Sequence, residues 1–321
     1  MGRWHADAVR HAGGRVVAVV DAAPDRASAL ARRLPGPPAI CADLREALRD
    51  HRVTAVHVCT PVDSHDTLAR EAMLAGAHVL MEKPLTPRAK ATEALFQLAA
   101  AQGVLLCPVH QFLFQPGVLA AQQRLSALGA VRQLDLVACS AGADGATELQ
   151  RETIALDILP HGLALTRRLL DRELVLSHWA VGDGPAGEIR VMARVGLASV
   201  MIAVSMGSRP PENSMTVRCM RGTVRAELFH GFASVHRGST SRLGKVGRPF
   251  VQATGVLAAA SMNLVGRAIR REPAYPGLRR LVHDFYLATA GRANVPISPA
   301  ESIDVARVRD AIADARPSFA G

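Results

Sequence analysis

Short runs of β-branched and apolar residues alternate with stretches of helical spacing through the first third of the chain. "RVVAVVD" (15–21), "AVHVCTP" (55–61), "HVLMEKP" (78–84) and "VLLCPVH" (104–110) have the continuous apolar profile of strands buried in a parallel sheet. Between them, "PDRASALARRL", "DTLAREAMLAG" and residues 87–102 show helical spacing, with Pro24 suited to a first turn and Gly76 to a helix end. Strands alternating with helices of roughly ten to fifteen residues predict a doubly wound parallel α/β domain.

From about Gly117 the rhythm changes. A helix near 118–128, the strand "VRQLDLVAC" and a helix over 154–170 lead into five successive strand-like runs: "LVLSHWAVG", "EIRVMARVG", "SVMIAVSMG", "SMTVRCMRG" and "TVRAELFHG". Consecutive strands joined by tight turns predict an α+β domain with a largely antiparallel sheet, completed by helices near 250–268, 276–290 and 300–314. The expected division is therefore 1–116 and 117–321. The strands between Leu174 and Phe229 carry too little helix to cover both faces. That predicts an apolar face set against another subunit, in a homo-dimer or homo-tetramer.

Composition narrows the class. A chain of 321 residues can bury two cores, and 49% hydrophobic with 21% charged residues is globular rather than disordered or fibrous. The five cysteines show no CxxC pair or metal spacing, and no apolar leader opens the chain, so a reducing, cytoplasmic setting is expected. The weakly polar stretch Phe250–Gly266 contains Gln252 and Asn263 and falls short of the ~20 apolar residues of a spanning helix. Net charge is +10, and all but three of the 38 basic residues are arginine. Nine of the basic residues fall between Arg237 and Arg280, opposed only by Glu272. A solvated face is the plain reading, an acidic substrate or an anionic membrane surface the sharper ones. The balance is against a membrane surface, and more so against nucleic acid, because no aromatic interleaving accompanies the charge.

Three groups of residues suggest chemistry. In a dinucleotide fold an acid ~20 residues beyond the glycine turn bonds the adenosine ribose. Asp21 stands nineteen residues after Gly2, and its charge favours NAD over NADP. Lys83 follows a strand end, where a lysine can either hold a carbinol oxygen or serve as a surface charge. Asp157 and His161, four apart, share a helix face, although Pro160 between them is awkward for a helix interior. They can be a stabilising pair, or an acid that orients and an imidazole that exchanges a proton.

"CTPVDSH" (59–65), "EAMLAGAHVLMEKPLT" (71–86) and "DILPH" (157–161) together resemble the glucose-fructose oxidoreductase / inositol dehydrogenase (Gfo/Idh/MocA) family. The resemblance implies cofactor contacts from Gly2, Arg3, Trp4, Asp21, Thr60, Pro61, His65, Glu82, Lys83 and Gln111. It also implies Lys83, Asp157 and His161 as catalytic residues. The implied activity is NAD-dependent hydride transfer to or from a carbinol or carbonyl carbon of a sugar, cyclitol or sugar nucleotide. A non-catalytic NAD-binding regulator of the same fold is the alternative. A cis Lys83–Pro84 bond is accessible, since proline reduces the preference for the trans isomer. "HQFLFQPG" departs from the family: Gln111 lies near its usual Asn and Leu113 replaces its usual Arg, which leaves the substrate class open. His110 there could face the nicotinamide or pack at a strand end.

Met1–His5 resembles the last part of the family's Gly-x-Gly-x-x-Gly turn, with Gly2 as the third glycine and Met1 as an internal methionine. On that reading a first strand and two glycines, roughly ten residues, are missing from a truncated chain. A slot of ~10 Å is then expected between "RVVAVVD" and "AVHVCTP" unless another segment fills it, and NAD binding should be weak.

Overall fold

The computed structural model describes residues 1–238, 242–272, 274–317 and 319, with 242–245 described in backbone only. Two compact units result: Met1–His110 with Leu278–Ile303, and Gln111–Gly277 with Asp304–Gly321. The expected division at 116/117 is thus corrected to 110/111, and a later segment returns to the first unit. That segment carries Leu281, Val282 and Phe285, all fully buried. Amphipathic spacing shows that a helix buries a face; it does not show which core the face serves.

The first unit contains α1 (Gly2–His11), β1 (Ala18–Val20), α2 (Pro24–Ala31), β2 (Ala39–Cys41), α3 (Leu44–Asp50), β3 (Ala55–Val58), α4 (His65–Leu74), β4 (His78–Met81), α5 (Ala89–Ala101) and β5 (Leu106–Pro108). Every strand pairing is parallel, in two separate sheets, β1–β2 and β3–β4–β5. Val79, Leu80 and Met81 of β4 are wholly inaccessible, as a central parallel strand covered on both faces requires. Around them Met73, Leu95, Phe96 and Leu106 close the core. β2 and α3 add to the elements read from the sequence. Their local signal is the Asp43 side chain, which accepts from the Glu46 amide and starts α3.

The second unit opens with a 3-10 turn at Gln111–Phe114. It continues through α6 (Pro116–Leu128), β6 (Val131–Cys139), α7 (Glu148–Leu170), β7 (Trp179–Val181), β8 (Glu188–Val195), β9 (Ala198–Ser205), β10 (Glu212–Cys219), β11 (Gly222–Glu227), β12 (Phe232–Arg237) and α8 (Arg242–Ile269). The chain then passes through α9 (Pro276–Thr289) and α10 (Pro299–Asp314), each of which starts in one unit and ends in the other. The seven strands lie in the order β12-β11-β10-β6-β9-β8-β7, antiparallel except for the parallel pair β6–β9. α7 packs on one face so closely that a Cβ on Gly162 would come within 2.9 Å of Ile202. It begins at Glu148 rather than 154, because Thr147 and Gln150 form a capping box.

The other face of this sheet is not the apolar surface expected. Cross-strand register aligns Met192, Met201, Asp135, Thr216 and Arg225 in one row, and Arg194, Ser199, Gln133, Arg218 and Thr223 in the next. Strand alternation sends Ile189, Val191 and Val195 inward and leaves Arg190, Met192 and Arg194 outside.

One buried ion pair ties the end of the chain to α7. Arg316 Nε and Nη2 donate to the two Glu152 carboxylate oxygens at 2.9 and 3.0 Å, and the Gly187 amide donates to the same carboxylate at 2.9 Å. Both side chains are almost inaccessible, at 2% and 7% exposure, so removing one strands the other in a low-dielectric setting. Arg316→Met should lower unfolding stability by roughly 3–5 kcal/mol. Urea titration of Trp179 fluorescence in a Trp4→Phe background would measure it. A second change, Glu152→Leu, should recover most of the loss; a loss under about 1 kcal/mol for Arg316→Met alone would contradict the assignment.

Candidate dinucleotide site

β1 pairs only with β2, and β3 pairs with β4 but not with β1. Between the two strands lies a cavity of about 510 Å³, lined by Val16–Asp21 on one side and Ala55–Thr60 on the other. Gly2, His5 and Val9 of α1 form a further wall. α1 therefore starts at the cavity, and the first amides of a helix, which have no intrahelical acceptor, favour an anion there. Asp21 ends β1 at the rim, its Oδ1 accepting from the Ala23 amide at 2.9 Å. Thr60 stands at the carboxyl end of β3, its hydroxyl accepting from Ser64 Oγ at 2.7 Å.

Of the cofactor residues read from the sequence, the structure brings Gly2, Asp21 and Thr60 to this cavity. Arg3 instead lies over the Trp4 ring at 4.4 Å, and Pro61 opens the 3-10 turn Val62–Ser64. His65 is buried, with its ring nitrogens 3.0 Å from the Pro84 carbonyl and 2.9 Å from the Thr60 carbonyl. It ties two loops together and reaches the cavity only through Thr60. Lys83 follows β4 and precedes a cis bond to Pro84, as its sequence allows.

Three of the residues read from the sequence belong to the second unit. Gln111 is buried at the start of its 3-10 turn. Asp157 and His161 sit four apart on α7, which runs through Pro160 without interruption. The buried His161 ring lies 4.6 Å from that of Phe112, and Arg309 Nη2 is 3.6 Å from Asp157 Oδ1.

Glu82, read from the sequence as a cofactor contact, instead holds His5 of a cluster that the sequence reading did not assemble, whose His5, His57 and Tyr286 line the same cavity. His5 Nδ1 is 2.9 Å from His57 Nδ1, His5 Nε2 is 3.1 Å from Glu82 Oε1, and His57 Nε2 is 3.1 Å from the Tyr286 hydroxyl. All three contacts are satisfied when His5 is an imidazolium donating to Glu82 and to a neutral His57, whose Nε2–H donates to Tyr286. Electrostatics agree. Burial opposes the charge on His5, but Cys59 and Glu82 outweigh it and raise its pKa to about 9. Burial, and then the charge on His5, hold His57 well below the ordinary histidine range. Burial pushes the Tyr286 hydroxyl up to about 12. A histidine inside the apolar run "AVHVCTP" was the available signal for His57. Tyr286 lies 229 residues away in sequence and gave none.

A helix start, a strand-end acid and a strand-end threonine around one cavity define a dinucleotide-binding fold. Residues 1–110 match the model of the Gfo/Idh/MocA oxidoreductase family, described by its NAD-binding Rossmann fold. The chain is 40% identical over 83 residues to an uncharacterised oxidoreductase of Escherichia coli, covering 26% of this chain and 24% of that protein. Alignments with the first four curated relatives span 20–27% of their lengths. A myo-inositol dehydrogenase of Streptomyces leeuwenhoekii is 31% identical over 195 residues, 60% of this chain and 58% of that one. The solved levoglucosan dehydrogenase, in complex with NADH and levoglucosan, superposes with a TM-score of 0.78 over 98% of this chain and 94% of its own. At 18% identity that likeness is one of fold.

The paired histidines set opposite limits on stability. His57, depressed, contributes least when the unfolded chain takes up a proton, so stability falls as pH drops below 6.5. The His5 contribution is complete below 6.5 and is lost as pH rises through about 9. Melting temperature against pH should therefore peak near 6.5, and His57→Leu should flatten the acid limb. A flat profile on both sides would contradict the cluster.

Proposed function

We propose that this chain is an NAD-dependent oxidoreductase acting on a CH–OH or carbonyl carbon of a sugar, cyclitol or sugar nucleotide. The observation that carries the reading is the meeting of the α1 start, Asp21 and Thr60 at one cavity. The donor set fits a dinucleotide. First-turn amides of α1 suit a pyrophosphate oxygen, and the Asp21 carboxylate suits the vicinal hydroxyls of a ribose while repelling a phosphate placed there. A Cβ on Gly2 would meet only Leu30, at 3.7 Å, so approach to the helix start is open. When bound, NAD supplies the hydride acceptor or donor.

The chain's own residues handle position and proton. Lys83 holds the substrate oxygen through Nζ, and its charge stabilises the alkoxide character that develops as the hydroxyl proton leaves, before hydride departure turns it into a carbonyl. His161 exchanges the hydroxyl proton, and Asp157 on the same helix face orients it. The relatives named as inositol and levoglucosan dehydrogenases support a polyhydroxylated substrate. In an assay of NADH absorbance across a panel of such compounds, Lys83→Met and His161→Ala should each lower turnover by ~100-fold or more. NADH affinity, read by fluorescence titration, should stay within a few-fold of the parent. Equal loss of NADH binding in both variants would show that these residues build the cofactor site instead.

A further inference from the structure

α8 is fastened to the second unit along one side only. Asn263 Nδ2 and Arg267 Nη1 donate to the His230 carbonyl at 3.1 and 3.4 Å. Turned away from these contacts, Val246, Phe250, Leu257 and Leu264 recur at intervals of four, seven and seven residues. At 100° per residue they fall within about 40° of one another on the helix. Their exposures are 76%, 75%, 67% and 68%. Val265, Val251, Ile269 and Met262, at 58%, 66%, 77% and 75%, carry exposed apolar surface about 100° further round the helix. The only charged residues from Val246 to Ile269 are Arg248 and Arg267, and both lie off it. An exposed apolar strip this long exceeds the scatter of single apolar residues on soluble surfaces and marks a contact face.

Charge decides what that face meets. From Leu228 to Arg271 the sequence holds seven basic residues and no acid, and Glu272 follows. Glu272 is occupied by Arg270, whose Nε donates to it at 2.8 Å. A second copy of the chain seated on this strip would set the same basic flanks against each other. An anionic lipid surface answers both the strip and its flanks. Among the described residues no helix is long and apolar enough to cross a membrane, so the geometry is that of a helix lying in the interface.

We propose that α8 is a membrane-surface anchor whose apolar strip enters the headgroup boundary of an anionic bilayer while neighbouring arginines pair with lipid phosphates. The proposal is independent of the oxidoreductase reading. It is tested with the whole chain, by flotation with vesicles of phosphatidylcholine and phosphatidylglycerol in about a 7:3 ratio, and with phosphatidylcholine alone. The protein should float with the anionic vesicles, at least ~10-fold more than with the neutral ones, and high salt should release much of it. Phe250→Asp with Leu257→Asp, at exposed positions that folding does not need, should abolish flotation with an unchanged circular dichroism spectrum. Phe250→Trp should shift its emission to the blue on adding anionic vesicles. Absence of flotation, or flotation undiminished in the double Asp variant, overturns the proposal. So does a lipid-independent dimer in light scattering that the same double variant dissolves, which would make a second copy the occupant.

Discussion

A β-strand carries hydrogen-bonding groups along both edges, and a parallel sheet is stable where both are answered. In the first unit β1 is answered by β2 and β3 by β4, and the edges that remain border the cavity between them. Much of this unit follows from that. α1 starts at the cavity, Asp21 and Thr60 stand at its rim, and a set of apolar side chains that would cover a sheet, including Val9, Leu30, Leu44 and Val56, faces it instead.

The walls are held by polar ties in place of ladder bonds. His5 joins α1 to β3 through His57 and to the end of β4 through Glu82. His57 in turn reaches α9 through Tyr286, and Arg279 of α9 donates to Asp7 of α1 at 2.8 Å. A buried imidazolium is costly unless its partners are charged or well directed, and here one carboxylate and one neutral imidazole are. The same cluster therefore explains why a late helix returns to the first unit and why that unit should respond to pH on both sides of neutrality.

The strand–helix alternation of the first unit was legible because buried parallel strands are apolar throughout, and "HVLM" folds as that pattern reads. β2 was not, since three residues beside a Pro-rich loop give no periodicity; α3 was marked only by its Asp43 cap. Antiparallel order in the second unit was legible from closely spaced strands, but the β6–β9 pair joins strands distant in sequence, and its parallel sense has no local signature. The polar outer face could have been read from Arg190 and Arg194, which alternate with inward aliphatics. At the candidate site, Gly2, Asp21 and Thr60 were legible because their spacing repeats a turn-and-strand-end geometry. The His5–His57–Tyr286 chain was not, because its members meet only after the chain has folded.

The account stands or falls on the unpaired inner edges of β1 and β3. Residue-resolved hydrogen exchange measures them directly. Amides of these strands that point away from β2 and β4 should exchange orders of magnitude faster than those of β4, which is bonded on both sides, and fusing an apolar strand ahead of Gly2 should slow them. Uniform protection of β1 and β3 in the unextended chain would show that the strands pair with each other, and would contradict the cavity between them.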